Sequence, residues 1–303
     1  MTRQAKRVSP EEKAVLAVLA YSAQFAHPLT AAEVEQRLLT RKALGELGLR
    51  TTAKKPLKFF LEELVKDGRL IKQGSWFTLV GNERAFGQRK TAETSKKDKQ
   101  RLVEELVGLV KKTPWVSAVV LTGSCAVGGA GEHDDVDFLM ITKTNRLWLT
   151  RLWLLLQSWF RGRRPHLPGG DISHSWDLNF WLTEERLALP PTKRTLYEAY
   201  EVLQTQWVFD RDSLQQRFYQ ANPWVSDYLL TWKNSQTKPE KQRTASFDLL
   251  NLFDWLAFYL QIGYRTLRHG HQRADKHGAF FHPRSTRGKI LKNWRRLYRK
   301  AVK

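Results

Sequence analysis

Asp135 and Asp137 stand two residues apart at the opening of an apolar run, Phe138-Leu139-Met140-Ile141. An earlier apolar run, Ala118 to Leu121, is left through Gly123-Ser124, and Asp134 follows ten residues after Ser124. On a strand, residues two apart point to the same face, so Asp135 and Asp137 sit side by side. Two neighbouring carboxylates repel each other. A fold keeps such a pair when a divalent cation lies between them, usually Mg2+ carrying a phosphorylated substrate. The Gly-Ser turn suits the same substrate: glycine lets backbone approach closely, and the Ser124 hydroxyl adds a polar contact beside backbone N–H groups.

Together, the Gly-Ser signature, the Ala126-Val127-Gly128 that follows and the Asp-x-Asp strand resemble the nucleotidyltransferase fold of polymerase-beta type, over about residues 95 to 190. Asp134 stands where the family often has Ser, and Cys125 directly follows the signature. The resemblance implies Mg2+ or Mn2+ as cofactor and a nucleoside triphosphate as substrate. It implies metal binding by Asp135 and Asp137, and triphosphate binding by Gly123 and Ser124. It also implies a third carboxylate on a neighbouring strand. Asp177 is the preferred candidate, in His174-Ser-Trp-Asp-Leu-Asn-Phe-Trp-Leu182, where Trp176, Leu178, Phe180 and Leu182 alternate with Asp177, Asn179 and Trp181. Asp171, in the Pro-Gly-Gly loop before it, is the alternative. With the pair, Asp177 would complete a second metal site that activates an attacking hydroxyl, or would itself take the proton. The resemblance leaves the acceptor open: RNA, a protein side chain or a small molecule. Cys125 is expected to pack rather than react.

With 303 residues, the chain is long enough for two or three domains. One cysteine excludes an internal disulfide framework, which fits a reducing, cytoplasmic setting. The net charge of +21 calls for an acidic partner: nucleic acid first, an anionic membrane surface second. Leu147 to Phe160 and Leu249 to Leu267 fall short of a spanning helix, for which about 20 predominantly apolar residues are needed. Ala14 to Ala26 faintly resembles a signal-peptide core, but Glu11 and Glu12 precede it, against that reading. His269, His271, His277 and His282 read as a basic loop rather than a zinc site.

The elements around the motif give an α+β chain. Helices are expected at 9–25, 31–39 and 54–66, the first two opening on Ser9 and Thr30 caps, followed by a hairpin around Gln73-Gly74-Ser75. Three helices and a hairpin look like a winged-helix domain, 1–90, with Arg50, Lys54, Lys55 and Lys58 placed to meet RNA or DNA phosphates. Protein contact, or bracing the catalytic domain, is the competing use. Residues 82 to 99 are charge-rich and read as a linker, with helical spacing from about Ser95. A nucleotidyltransferase-type mixed sheet with flanking helices is expected over 91–190. A helical C-terminal region covers 191–303, with helices at 195–209, 212–220 and 246–267. Lys193 and Arg194 are candidate triphosphate contacts. Leu147 to Phe160 is expected to be a helix buried on most of its surface, with Arg161, Arg163 and Arg164 after it as a solvated basic turn or, alternatively, a phosphate or anionic-lipid contact beside the active site. From Arg284 to Lys303 there are nine Lys or Arg and no acid, with Ile290, Leu291, Trp294, Leu297 and Tyr298 at helical spacing, a basic amphipathic helix that fits a nucleic-acid backbone or a membrane surface, or else docks its apolar stripe on the body. The function expected is Mg2+-dependent transfer of a nucleoside monophosphate. The alternative is a non-enzymatic nucleic-acid-binding module on a nucleotidyltransferase-like scaffold.

Overall fold

The computed structural model describes residues 7–52, 57–163, 172–232, 248–269, 273–281 and 286–303. Lys54, Lys55, Arg164, Asp171, His271, His282 and Arg284 lie outside the described residues. The chain is α+β. Among the described residues it forms eleven α-helices and two sheets, one of three strands and one of six.

The first part runs α1 (Pro10–Ala23), β1 (Leu29–Thr30), α2 (Ala31–Gln36), α3 (Arg41–Gly45), α4 (Leu57–Lys66), β2 (Leu70–Gln73) and β3 (Trp76–Leu79). Capping boxes start α1 and α2. Ser9 and Glu12 exchange hydrogen bonds at one, and Thr30 and Glu33 do so at the other, so orphan N–H groups at each helix start are satisfied. β1 pairs with β3 and β3 with β2, all antiparallel. The expected second helix is shorter than the sequence suggested. It stops at Gln36, and a separate short helix, α3, is capped by Thr40.

α5 (Arg84–Lys111) corrects the expected linker. Its first turns carry few apolar residues, which hides them from a periodicity reading. They are held by their neighbours: Ala85, Phe86 and Ala92 are buried, and Arg89 reaches back to Glu33 at 2.8 Å and stacks over Trp76. β4 (Val116–Leu121), α6 (Gly123–Ala126), β5 (Val136–Thr142), α7 (Leu147–Phe160) and β6 (Trp176–Thr183) follow. Next come α8 (Leu196–Gln204), β7 (Gln206–Asp210), α9 (Leu214–Ala221), α10 (Leu249–His269), β8 (Arg273–Asp275), β9 (Gly278–Phe280) and α11 (Arg287–Ala301). The helix expected to run to Phe209 therefore ends at Gln204. Gln206–Asp210 instead pairs with β4 at the edge of the large sheet, where Trp-Val-Phe suits a strand. Part of the expected histidine loop is likewise the β8–β9 hairpin.

The large sheet has the order β7-β4-β5-β6-β9-β8, with β5 and β6 parallel and the other pairs antiparallel. Its faces bury two different cores. Val136, Phe138 and Met140 point toward α5, α7 and α10, in a core with Leu106, Trp148 and Ala257. Ala118, Val120 and Ile141 point the other way, into a core shared with α1, α4, α8, α9 and α11. The basic tail joins this second core. Trp294 and Tyr298 are buried and the Trp294 indole donates to the Ala17 carbonyl at 2.9 Å, while Lys292, Arg296, Arg299 and Lys300 stay exposed.

Candidate active site

β5 and β6 bring the acidic residues together. They run parallel with Asp137 opposite Asp177, and Asp135 lies just before β5. One oxygen from each of Asp135, Asp137 and Asp177 lies within 4.8 Å of the others, an arrangement that could hold a metal ion. Asp177 is buried, and Asp135 and Asp137 are half-buried. Val136 and Phe138 alternate with Asp137 and face the opposite core, so burying those apolar residues fixes which way the carboxylate points.

Asp177 sits where the sequence puts it, but the alternation around it does not persist. β6 has one extra residue between its Asp177 and Phe180 partners: Asp137 pairs with Asp177 and Leu139 with Phe180. This bulge reverses the pattern. Trp181, expected on the polar face, is fully buried with Trp176 and Leu178, and Leu182 belongs to the other core.

Gly123 explains why the turn is glycine. Its φ is +64°, a left-handed conformation, and an added Cβ would overlap the Asp137 carboxylate, 3.0 Å from Cγ. The backbone thus lies directly against the Asp137 carboxylate. Thr122 N–H donates to the Asp137 carbonyl at 3.0 Å, tying the turn to β5. The Ser124 hydroxyl donates to Asp134 at 3.3 Å, and the Gly131 N–H donates to the same carboxylate at 2.9 Å, so Asp134 closes the loop between α6 and β5.

Burial first, and then the neighbouring Asp135 and Asp177, push the Asp137 carboxyl up to about 8. Three carboxylates this close do not all ionise at neutral pH unless a cation joins them. Burial pushes the Cys125 thiol up to about 12, against the pull of Lys99, so it is a neutral packing group, its Sγ 3.5 Å from the Asp135 carbonyl.

Three further side chains shape the site and escaped the sequence reading. Lys99 of α5 is buried. Its ammonium donates to the carbonyls of Glu132 at 2.9 Å, Ser173 at 2.7 Å and Asp134. It therefore clamps the segment entering β5 to the one entering β6. No motif signals it, because it lies in a run of lysines that resembles a solvated linker. Glu201 of α8 adds to the negative potential at Asp137. Its side chain is accessible to water, yet desolvation, and then Glu198, raise its carboxyl to about 7. Arg265 of α10 is within electrostatic reach of Asp177 and stacks over Phe281 at 4.0 Å.

Lys193 lies 3.7 Å above the Phe280 ring, on the strand paired with that of Asp177. Arg194 donates to the Leu189 carbonyl at 2.9 Å. Asp171, the alternative third carboxylate, falls outside the described residues. Compared with protein-family models, curated proteins and solved structures, the chain gives no match.

Proposed function

We propose that this protein is a nucleotidyltransferase that moves a nucleoside monophosphate from a nucleoside triphosphate to an acceptor. The observation that carries this reading is the juxtaposition of three carboxylates, within 4.8 Å of one another, with a glycine turn too tight for any Cβ. The strand–turn–helix–strand order, with the third acid on the parallel neighbour, supports a polymerase-beta-type architecture.

The donor set fits the implied metal: three carboxylates are hard oxygen ligands of the kind Mg2+ or Mn2+ takes. Asp135, Asp137 and Asp177 would hold it, and once bound it would offset phosphate charge and lower the pKa of an attacking hydroxyl. The chain's own residues supply the rest. Gly123 lets the triphosphate approach the backbone beside Asp137, and Ser124 offers a hydroxyl at the same edge. Lys99 keeps Asp135 and Asp177 in register by holding the segments before both strands. Attack on the α-phosphorus forms the new P–O bond, the bond to the bridging oxygen breaks, and pyrophosphate leaves. The acceptor's proton passes to Asp177 or to water. α8 carries Glu201 toward the acidic face, which suits a helix that borders the nucleotide pocket.

The N-terminal helices and hairpin support a winged-helix reading, with β1 completing a three-stranded sheet. Arg50 and Lys58 are exposed near or on α4 and would contact the backbone of RNA or DNA. Nucleic acid is therefore the preferred acceptor or guide. Binding without catalysis is the second reading, and the close approach of the third carboxylate weighs against it.

The test is thermal stability with each ribonucleoside triphosphate and Mg2+, on wild type and Asp137→Asn, followed by pyrophosphate release with candidate acceptors. Metal-dependent stabilisation by a triphosphate, lost in the variant, is the expected result. No stabilisation by any of them would sink the transferase reading.

A further inference from the structure

The side of the sheet opposite the carboxylates carries a surface that transfer does not use. α7 and α10 pack together in parallel. Arg146 bonds Asn251 at 2.6 Å, the Leu149 N–H bonds Asp254 at 2.8 Å, and Arg151 bonds Gln261 at 2.5 Å, so both helices advance in the same direction. The expectation that Leu147–Phe160 would be buried on most sides does not hold. Trp153, Leu156, Trp159 and Phe160 are exposed, Phe160 at 71%. α10 is more extreme. From Leu249 to Leu267, each exposed side chain is uncharged and most are large and apolar, Leu267 at 91%. The charged groups on that stretch, Asp254 and Arg265, are buried or half-buried, and Arg151 of α7 is buried.

Large apolar side chains exposed along two packed helices mark an interaction face. Three features choose among occupants. The exposed aromatics include Trp153, Trp159, Trp255, Tyr259 and Tyr264, side chains with an apolar body and a polar tip that favour the headgroup boundary of a bilayer. Charge agrees: the protein carries +21, Lys143 before α7 is exposed, and Arg161 and Arg163 after it share a single carboxylate, Glu105. That balance attracts an anionic surface and opposes a second copy of the same chain. Lastly, no helix among the described residues is long and apolar enough to cross a membrane, so the contact is one of lying on the surface.

We propose that the exposed face of α7 and α10 seats the protein on an anionic lipid bilayer, with both helices at the headgroup boundary. This inference stands apart from the transferase reading. The acidic residues lie on the other face of the sheet, so a seated molecule keeps its carboxylates turned away from the lipid.

The experiment is flotation with phosphatidylcholine vesicles, with and without phosphatidylglycerol, with tryptophan quenching by brominated lipid as a second readout. The full chain is compared with Leu256→Ser/Leu260→Ser, both exposed positions whose change spares the core. Wild type is expected to float with anionic vesicles and be quenched, with at least about tenfold weaker binding to neutral ones and for the double variant. Failure to float with anionic vesicles overturns the proposal, as does wild-type flotation by a folded double variant. A defined dimer in lipid-free solution, broken by the same substitutions, overturns it in favour of a second copy. Stabilisation by Mg2+ and nucleotide is expected to be equal in both proteins, which separates this outcome from that of the transferase test.

Discussion

The two faces of the large sheet reverse the usual distribution of side chains. Toward α8 the chain gathers carboxylates: Asp177 is buried, Asp135 and Asp137 are half-buried, and Asp135, Asp177 and Glu201 all raise the Asp137 carboxyl. Toward α7 and α10 the sheet is covered by an apolar core, but the covering helices expose leucines and aromatics to water. Neither arrangement serves stability. Clustered buried acids repel and lose hydration, and large apolar side chains left in water gain nothing from folding. A sequence retains such departures where something outside the chain completes them. The proposed partners differ in kind: a cation with a triphosphate on one face, and a lipid surface on the other.

That contrast is most exposed to failure at Asp137. Replacing it with Asn is expected to lower the proposed transfer by at least about a hundredfold, measured as pyrophosphate release. The same change has an opposite effect on the metal-free protein. The Asp137 carboxyl is raised in the folded state, so its stability contribution is full below its ordinary value near 3.8 and is lost as pH rises through about 8. The melting temperature of wild type in chelator therefore falls across that window, and that of Asp137→Asn falls less. Added Mg2+ restores wild type at high pH and leaves the variant unchanged. A wild-type melting curve insensitive to both pH and Mg2+ would remove the charge cluster from the comparison.

Lys99→Met comes next. It strips three carbonyls of a buried donor and is expected to destabilise the fold by about 2–3 kcal/mol in denaturant titration. Amide exchange should quicken around residues 132–136 and 173–175. Gly123→Ala forces a left-handed alanine against Asp137, at a cost of about 1–3 kcal/mol, and metal-dependent stabilisation should disappear with it. On the opposite face, Leu256→Ser/Leu260→Ser is expected to change stability by no more than about 0.5 kcal/mol, because neither side chain leaves a core. A large loss there would mean that the apolar face is structural. Cys125→Ala is the smallest expected effect, with transfer within about twofold of wild type, and in the wild-type protein the Cys125 thiol is expected to alkylate slowly at pH 8.

Local signals were legible where a short-range rule dominates. The capping boxes at Ser9 and Thr30, the hairpin at Gly74, the heptad-like stripe of α11 and the Asp-x-Asp strand all follow from neighbours within four residues. The start of α5 was not legible, because its polar turns are held by Glu33, Trp76 and other partners far away in sequence. β7 was misread as helix because Gln206–Asp210 gains its strand only by pairing with β4. The bulge in β6 has no signature in Asp-Leu-Asn-Phe, since it exists only relative to the register of β5.

The sequence by itself determined which acids share a face, that the turn before them is glycine, that the chain is strongly basic and that its last helix has an apolar stripe. These follow from strand and helix periods and from composition. Only the tertiary structure decided that Asp177 meets Asp135 and Asp137, that Gly123 has no room for a Cβ, and that Lys99 and Glu201 border the site. It also decided that the stripe of α11 docks on α1 while the apolar residues of α7 and α10 remain in water. Those outcomes rest on contacts between segments tens to hundreds of residues apart, where packing and register outweigh local preference.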